Sequence, residues 1–193
     1  DYDSDEFLRI PQLLFDIDES KYYKVIEKNF IIPEIDAPFS KVIFALNPQH
    51  IVTTNYDHLL EQSSYRRRFM YEVISEDRDL SAPEKNNYII KLHGDIDNLK
   101  TIVLKEQDYL SFFDAHKLLE SFFKLLLAGT TILFIGYSLK DIDISKAIYW
   151  LNQIRSDNGV VSNSPIGYAV FDEENVPAFR EVEFEKKNIS FVI

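Results

Sequence analysis

Three short segments of this chain hold residue types that can do chemistry. Thr53-Thr54-Asn55-Tyr56-Asp57 ends on an amide and a carboxylate, His93-Gly94-Asp95 pairs an imidazole with a glycine, and Gly136-Tyr137-Ser138 sets a glycine two residues before a hydroxyl. An asparagine amide donates and accepts hydrogen bonds without ionising, so Asn55 can position water. A histidine neutral near pH 7 suits general-base work, which typically contributes ~10²–10⁴-fold to rate. The carboxylate of Asp57 can stabilise positive charge that develops in a transition state. Each segment also has a plainer reading. Asn-x-Asp caps helices, His-Gly makes turns, and Gly-x-Ser can be a simple turn.

The elements around these segments decide between the readings. Short β-branched or apolar runs at residues 51–54, 88–92, 101–104, 130–135, 166–171 and 189–193 read as strands. Leu118, Leu119, Phe122, Phe123 and Leu126 make one broad apolar helix face, with Gly129 where a helix should stop. Ile144, Ala147, Ile148 and Leu151 make another, with Asp141 or Asp143 available as its N-cap. Earlier helical pieces are expected at residues 25–30, 39–46 and from His58. Apolar strands alternating with helices indicate an α/β, doubly wound and mostly parallel sheet with helices on both faces. Such sheets bind ligands beyond the carboxyl ends of their strands. All three segments fall there, which favours a binding crevice.

In order and spacing, Thr53-Thr54-Asn55-Tyr56-Asp57, Lys91-Leu92-His93-Gly94 and Phe134-Ile135-Gly136-Tyr137-Ser138-Leu139 resemble the signature of the sirtuin superfamily. They are most similar to the sirtuin-like domains of bacterial anti-phage defence proteins. Those carry TTNYD where deacetylating sirtuins carry TQNID, and GYS where the latter carry GTS. The resemblance runs from about Phe39 to Ile193. Glu106-Gln107-Asp108-Tyr109 resembles an acidic stretch common in these domains. The resemblance implies a Rossmann-like fold and cleavage of NAD+ to nicotinamide and ADP-ribose. By the same resemblance Asn55 would orient the ribose or the attacking water. Asp57 would hold the carboxamide or ribose side, and His93 would be general base toward a ribose hydroxyl or the water. Thr54, Gly136, Tyr137 and Ser138 would join Asn55 and Asp57 in binding NAD+, with Gly136 and Ser138 at the ribose and phosphates. A cytoplasmic location is implied, as is assembly with copies of itself or with other domains of a larger defence protein.

Departures from the pattern are informative. The chain has 193 residues and no cysteine, which excludes disulfides, thiolate catalysis and the zinc module of deacetylating sirtuins. Protein deacylation is therefore the third reading. A catalytically silent nucleotide-sensing or assembly module is the second. No metal is expected, because the four histidines show no ligand spacing. The net charge of −11 disfavours nucleic acid as a partner of this domain, since phosphate contact needs a basic face. No apolar run reaches the ~20 residues that span a bilayer. Arg66-Arg67-Arg68 is the one dense basic run and reads as a solvated face, and residues 66–85 read as a flap with little regular pattern. Phe112, Phe113, Phe122 and Phe123 read as core or as an oligomer contact.

The first glycine is Gly94, so the glycine-rich phosphate loop that opens sirtuin domains is missing from residues 1–193. The expectation is one sirtuin-like domain over 1–193, with its first strand and that loop upstream of Asp1. Residues 1–193 alone should then bind NAD+ weakly and the full-length protein should cleave it. Calorimetry on the isolated chain checks this, and tight NAD+ binding overturns it.

Overall fold

The computed structural model describes residues 6–30, 38–66, 71–83, 85–137, 141–159, 164–171 and 178–192. The chain is mixed α/β with parallel sheets, and it divides into two compact units, Asp1–Leu119 and Glu120–Ile193.

The first unit opens with two amphipathic helices, α1 (Glu6–Ile17) and α2 (Glu19–Phe30). Asp18 lies between them, and its carboxylate accepts the Lys21 N–H at 2.9 Å, capping α2. Tyr22 and Ile26 of α2 are buried against Ile96 and Ile102, with Leu14, Phe15 and Tyr56 packed around them. Helix α3 (Pro38–Ala45) then leads into strand β1 (His50–Thr53). Asn47 takes the left-handed backbone (φ 49°) that lets the chain leave α3 and turn into β1. After β1 come α4 (Leu59–Arg66), β2 (Glu72–Ile74), a 3-10 helix at Asp77–Leu80 and β3 (Tyr88–Lys91). The sheet order is β1-β3-β2, with both pairings parallel. Central β3 is buried at every position, as a parallel strand covered on both faces must be. Phe44, Tyr71 and Ile89 pack together with Ile51 and Leu60 beside them.

Two expectations fail here. Residues 101–104 form no strand: a 3-10 turn at Leu99–Thr101 runs into a segment outside any ladder. That apolar run is buried because Val103 N–H donates to the His93 carbonyl (3.0 Å) and closes a loop, so its hydrophobicity marks packing and not sheet pairing. Conversely, the stretch read as a flap contains β2 and a 3-10 helix. Three residues are too few for alternation to show, and β2 forms because β3 offers it a ladder. Asp77 of that 3-10 helix accepts the Leu118 and Leu119 N–H groups at 3.0 and 2.9 Å. It thereby caps α6 (Lys117–Gly129), which follows α5 (Glu106–Ala115). Phe112 and Phe123 are buried, as core aromatics should be. Arg67 and Arg68 lie outside the described residues.

In the second unit β4 (Ile132–Ile135), α7 (Ile142–Asp157), β5 (Gly167–Val170), α8 (Ala178–Lys186) and β6 (Ile189–Val192) build a parallel sheet of order β4-β5-β6. Asp141 is the N-cap of α7, accepting the Asp143 and Ile144 N–H groups at 3.0 Å each. Phe134, Ala169 and Ile189 are buried on one face, where Phe171, Phe184 and Phe191 stack close to β6. The register puts Leu133, Ile135, Tyr168, Val170 and Val192 on the opposite face, and all five are exposed.

Gly167 is required by contact: a Cβ there would sit 2.4 Å from the Ile132 carbonyl oxygen. Gly129, at the end of α6, has open space instead. We expect Gly167→Ala to destabilise the protein by about 1–3 kcal/mol. Gly129→Ala should be neutral or stabilising by up to about 1 kcal/mol. Urea unfolding of the two variants checks the contrast.

Candidate active site

The Asn55 loop is set by local bonds and one distant group. Thr53 Oγ1 accepts the Asn55 N–H at 3.1 Å, turning the chain as it leaves β1 and leaving Asn55 exposed. Tyr56 turns inward. Its hydroxyl donates to the Val103 carbonyl (2.8 Å) and its ring meets Phe30 edge-on at 5.1 Å. Asp57 Oδ1 accepts the Leu59 N–H at 2.9 Å, so this carboxylate does cap α4. Thr54 is half-buried beside these residues.

The distant group is Lys91, the last residue of β3. Its side chain is 0% exposed, among the apolar residues of that strand. Nζ donates to the carbonyls of Tyr56 (2.9 Å) and Asp57 (2.8 Å). It also lies 2.9 Å from Glu61 Oε1 and 2.8 Å from Asp95 Oδ2. Asp95 Oδ1 accepts the Asp97 N–H (2.9 Å) and faces His58 Nε2 at 2.9 Å. Burial pushes the Asp95 carboxyl up. The Asp97 N–H, the Lys91 ammonium and the His58 ring outweigh that and hold it below the usual carboxylate value.

His93 follows two residues after Lys91 and is 3% exposed. Its ring meets Tyr109 (5.3 Å) and Phe112 (6.0 Å) of α5 edge-on. Gly94 allows the turn. Its φ is +88°, and a Cβ would sit 2.2 Å from the Thr101 carbonyl oxygen. The acidic stretch that opens α5 divides its work. Asp108 Oδ2 accepts the N–H groups of Leu104 (3.1 Å) and Lys105 (2.9 Å), while Tyr109 packs on His93.

In the second unit Gly136 follows β4 with φ +61°, and a Cβ there would touch nothing within 4 Å. Tyr137 lies half-exposed, its ring 6.2 Å from Phe134. Ser138 lies outside the described residues. Asp143 of α7 is buried. Its carboxyl is pushed up to about 6 by burial and by the neighbouring Asp141, against the pull of Lys146.

The structure thus brings Thr54, Asn55, Asp57 and His93 to the ends of two adjacent parallel strands. It also gives a part to residues that had no assigned role in the sequence reading: Lys91 and Asp95, which lie inside the motif segments, and Glu61 and His58, which lie outside them. A charged residue inside the apolar run 88–92 was the available signal. His58, Asp95 and Asp97 present ligand atoms within 4.8 Å of one another, a grouping that histidine spacing did not reveal. Lys91 and the Asp97 N–H already occupy Asp95, which makes this a poor cation cage.

Open parallel α/β sheets take their ligands beyond the carboxyl ends of the strands, and the polar residues described above lie at such ends. Residues 49–192 match the family model described as the SIR2-like domain, and the chain belongs to that family. Defense-associated sirtuin 2 of Bacillus subtilis is 34% identical over 163 residues, 81% of this chain and 16% of that protein. NAD(+) hydrolase ThsA of Cytobacillus dafuensis is 34% identical over 105 residues, 53% of this chain and 21% of that protein. The enzyme of the same name from Enterococcus faecium is 27% identical over 121 residues, 61% of this chain and 25% of that protein. The matches therefore span between 16% and 25% of these relatives. Among the described residues no helix is long and apolar enough to cross a membrane.

The two perturbed carboxyls act on stability with opposite sign. Asp95 titrates lower in the folded than in the unfolded chain. Its contribution is present above the unfolded value of about 4 and is lost as pH falls through the folded value. Asp143 titrates higher when folded, so its ionisation disfavours the fold above pH about 6, and that cost fades as pH falls toward about 4. Asp143→Asn should therefore stabilise the protein at pH 7.5, by an amount that vanishes near pH 4. Asp95→Asn should destabilise at pH 7.5 and flatten the acid limb. Denaturant midpoints of wild type and both variants across pH 3–8 check the two signs.

Proposed function

We propose that this domain is an NAD+ glycohydrolase, the cleaving part of a bacterial anti-phage defence protein. The carrying observation is the exposed Asn55 amide on a loop fixed by a buried ammonium, beside the strand end that bears His93. The family match and the names of the relatives support the same reading. The reaction is NAD+ plus water giving nicotinamide, ADP-ribose and a proton. The nicotinamide–ribose bond breaks with its electron pair leaving on the nicotinamide nitrogen. That ring is cationic beforehand, so no acid need protonate it.

What the protein supplies is position and a polar setting for an oxocarbenium-like ribose. Asn55 orients the water or the ribose. His93 accepts the proton released as the new C–O bond forms. Asp57 keeps one carboxylate oxygen on the α4 cap, and the same carboxylate places negative charge toward the ribose side. The roles of Thr54, Gly136, Tyr137 and Ser138 in holding NAD+ rest on the motif resemblance. A glycine-rich phosphate loop outside residues 1–193, a cytoplasmic location, and assembly with further domains or copies belong to the same proposal. Abortive infection through NAD+ loss is the physiological outcome it implies.

Asn55→Ala and His93→Ala in the full-length protein should each lower NAD+ cleavage by about 10²-fold or more. Circular dichroism should show both folded. Wild-type turnover in both variants sinks the site assignment. A full-length protein that never cleaves NAD+, even with activating partners, makes this domain a silent sensing or assembly module.

A further inference from the structure

We propose that Lys91 is the positioning residue for Asn55, a role that rests on the NAD+-cleaving reading above. Four oxygens lie within 2.9 Å of its Nζ: the Tyr56 and Asp57 carbonyls, Glu61 Oε1 and Asp95 Oδ2. An ammonium has three protons, so no donor is left over for a substrate. Full burial closes it to water as well. Lys91 therefore acts through the chain it holds.

What it holds are the two residues directly after Asn55, the first turn of α4 through Glu61, and the β3 exit loop through Asp95. Asp95 passes the connection on to His58, just before α4. Asn55 thus sits between the Thr53 Oγ1 bond and the Lys91 bonds, and its side chain projects from a backbone fixed at both ends. Take the ammonium away and the Asp57 carbonyl, Glu61 Oε1 and Asp95 Oδ2 lose the donor they share, while the Tyr56 carbonyl keeps only the Ile96 N–H at 3.1 Å. Mutual repulsion then opens the loop after Asn55, and the amide loses its single orientation.

Orientation of a reacting water is realised in the transition state more than in substrate binding. Loss of Lys91 should therefore lower kcat and leave KM nearly unchanged. A role confined to stability would leave kcat per folded molecule intact.

The test compares full-length wild type, Lys91→Met, Lys91→Arg and Asn55→Ala at a temperature well below each Tm. Methionine keeps most of the volume and drops the charge. Arginine keeps the charge, but its planar fork cannot serve both carbonyls from the same place. The expected result for Lys91→Met is amide exchange over residues 54–58 faster by about tenfold or more, by mass spectrometry. Its kcat for NAD+ should fall at least about tenfold, with KM within about threefold of wild type. Lys91→Arg should fall between the two in both readouts, and it decides the matter if the methionine variant does not fold. Unchanged exchange at 54–58, or unchanged kcat beside an inactive Asn55→Ala, overturns the proposal. If Asn55→Ala itself cleaves NAD+ normally, the proposed function fails, and the exchange measurement alone then decides whether Lys91 holds the loop.

Discussion

A single buried ammonium organises the first unit. Taking such a charge out of water costs on the order of several kcal/mol, and it persists only where good partners repay that. Lys91 has two carboxylates and two carbonyls within 2.9 Å. Removal of one member of such a buried set typically costs about 3–5 kcal/mol, because the others are left uncompensated. The network also fixes geometry. The exit of β1, the start of α4 and the exit of β3 meet at one nitrogen, and the residues with chemical capability are strung along those three segments.

The acidic charge of the chain has a structural use that follows the same logic. Asp18, Asp57, Asp77, Asp108 and Asp141 each accept backbone N–H groups at or beside helix starts. A carboxylate at a helix N-terminus satisfies donors that otherwise have no partner and meets the positive end of the helix dipole. Asp143 is the exception. It lies one residue into α7, where the dipole favours its ionised form, yet burial and Asp141 prevail and raise its carboxyl. An anionic dinucleotide approaching so acidic a chain must be held by local backbone donors, since the bulk field repels it.

Much of the fold was legible because parallel strands are rich in apolar and β-branched residues, and five of the six observed strands fall on such short runs. The sixth, β2, is three residues long and carries no period of its own. The false strand at residues 101–104 fails for the complementary reason. Its apolar residues are buried by the return of a loop over His93, a tertiary event that hydrophobicity alone reports as a strand. At the site, Asn55, Asp57 and His93 were visible as residue types at strand ends. One lysine inside an apolar run reads as an interruption until its partners are known, and three of the four, Tyr56, Asp57 and Glu61, lie 30 or more positions away in the chain.

The sequence by itself determined the α/β class, the family and the order of the motifs, since these depend on local pattern and on which residues are present at all. The absence of cysteine belongs with them, and it settles that no thiolate-held zinc module exists in this chain. Only the tertiary structure decided how each residue is used. It committed one oxygen of Asp57 to a helix cap, buried His93 against α5, and turned Lys91 from a strand residue into the group that holds the Asn55 loop. The physical reason is that burial and hydrogen-bond partnership depend on neighbours distant in the chain, and those are assembled only when β1 and β3 pair.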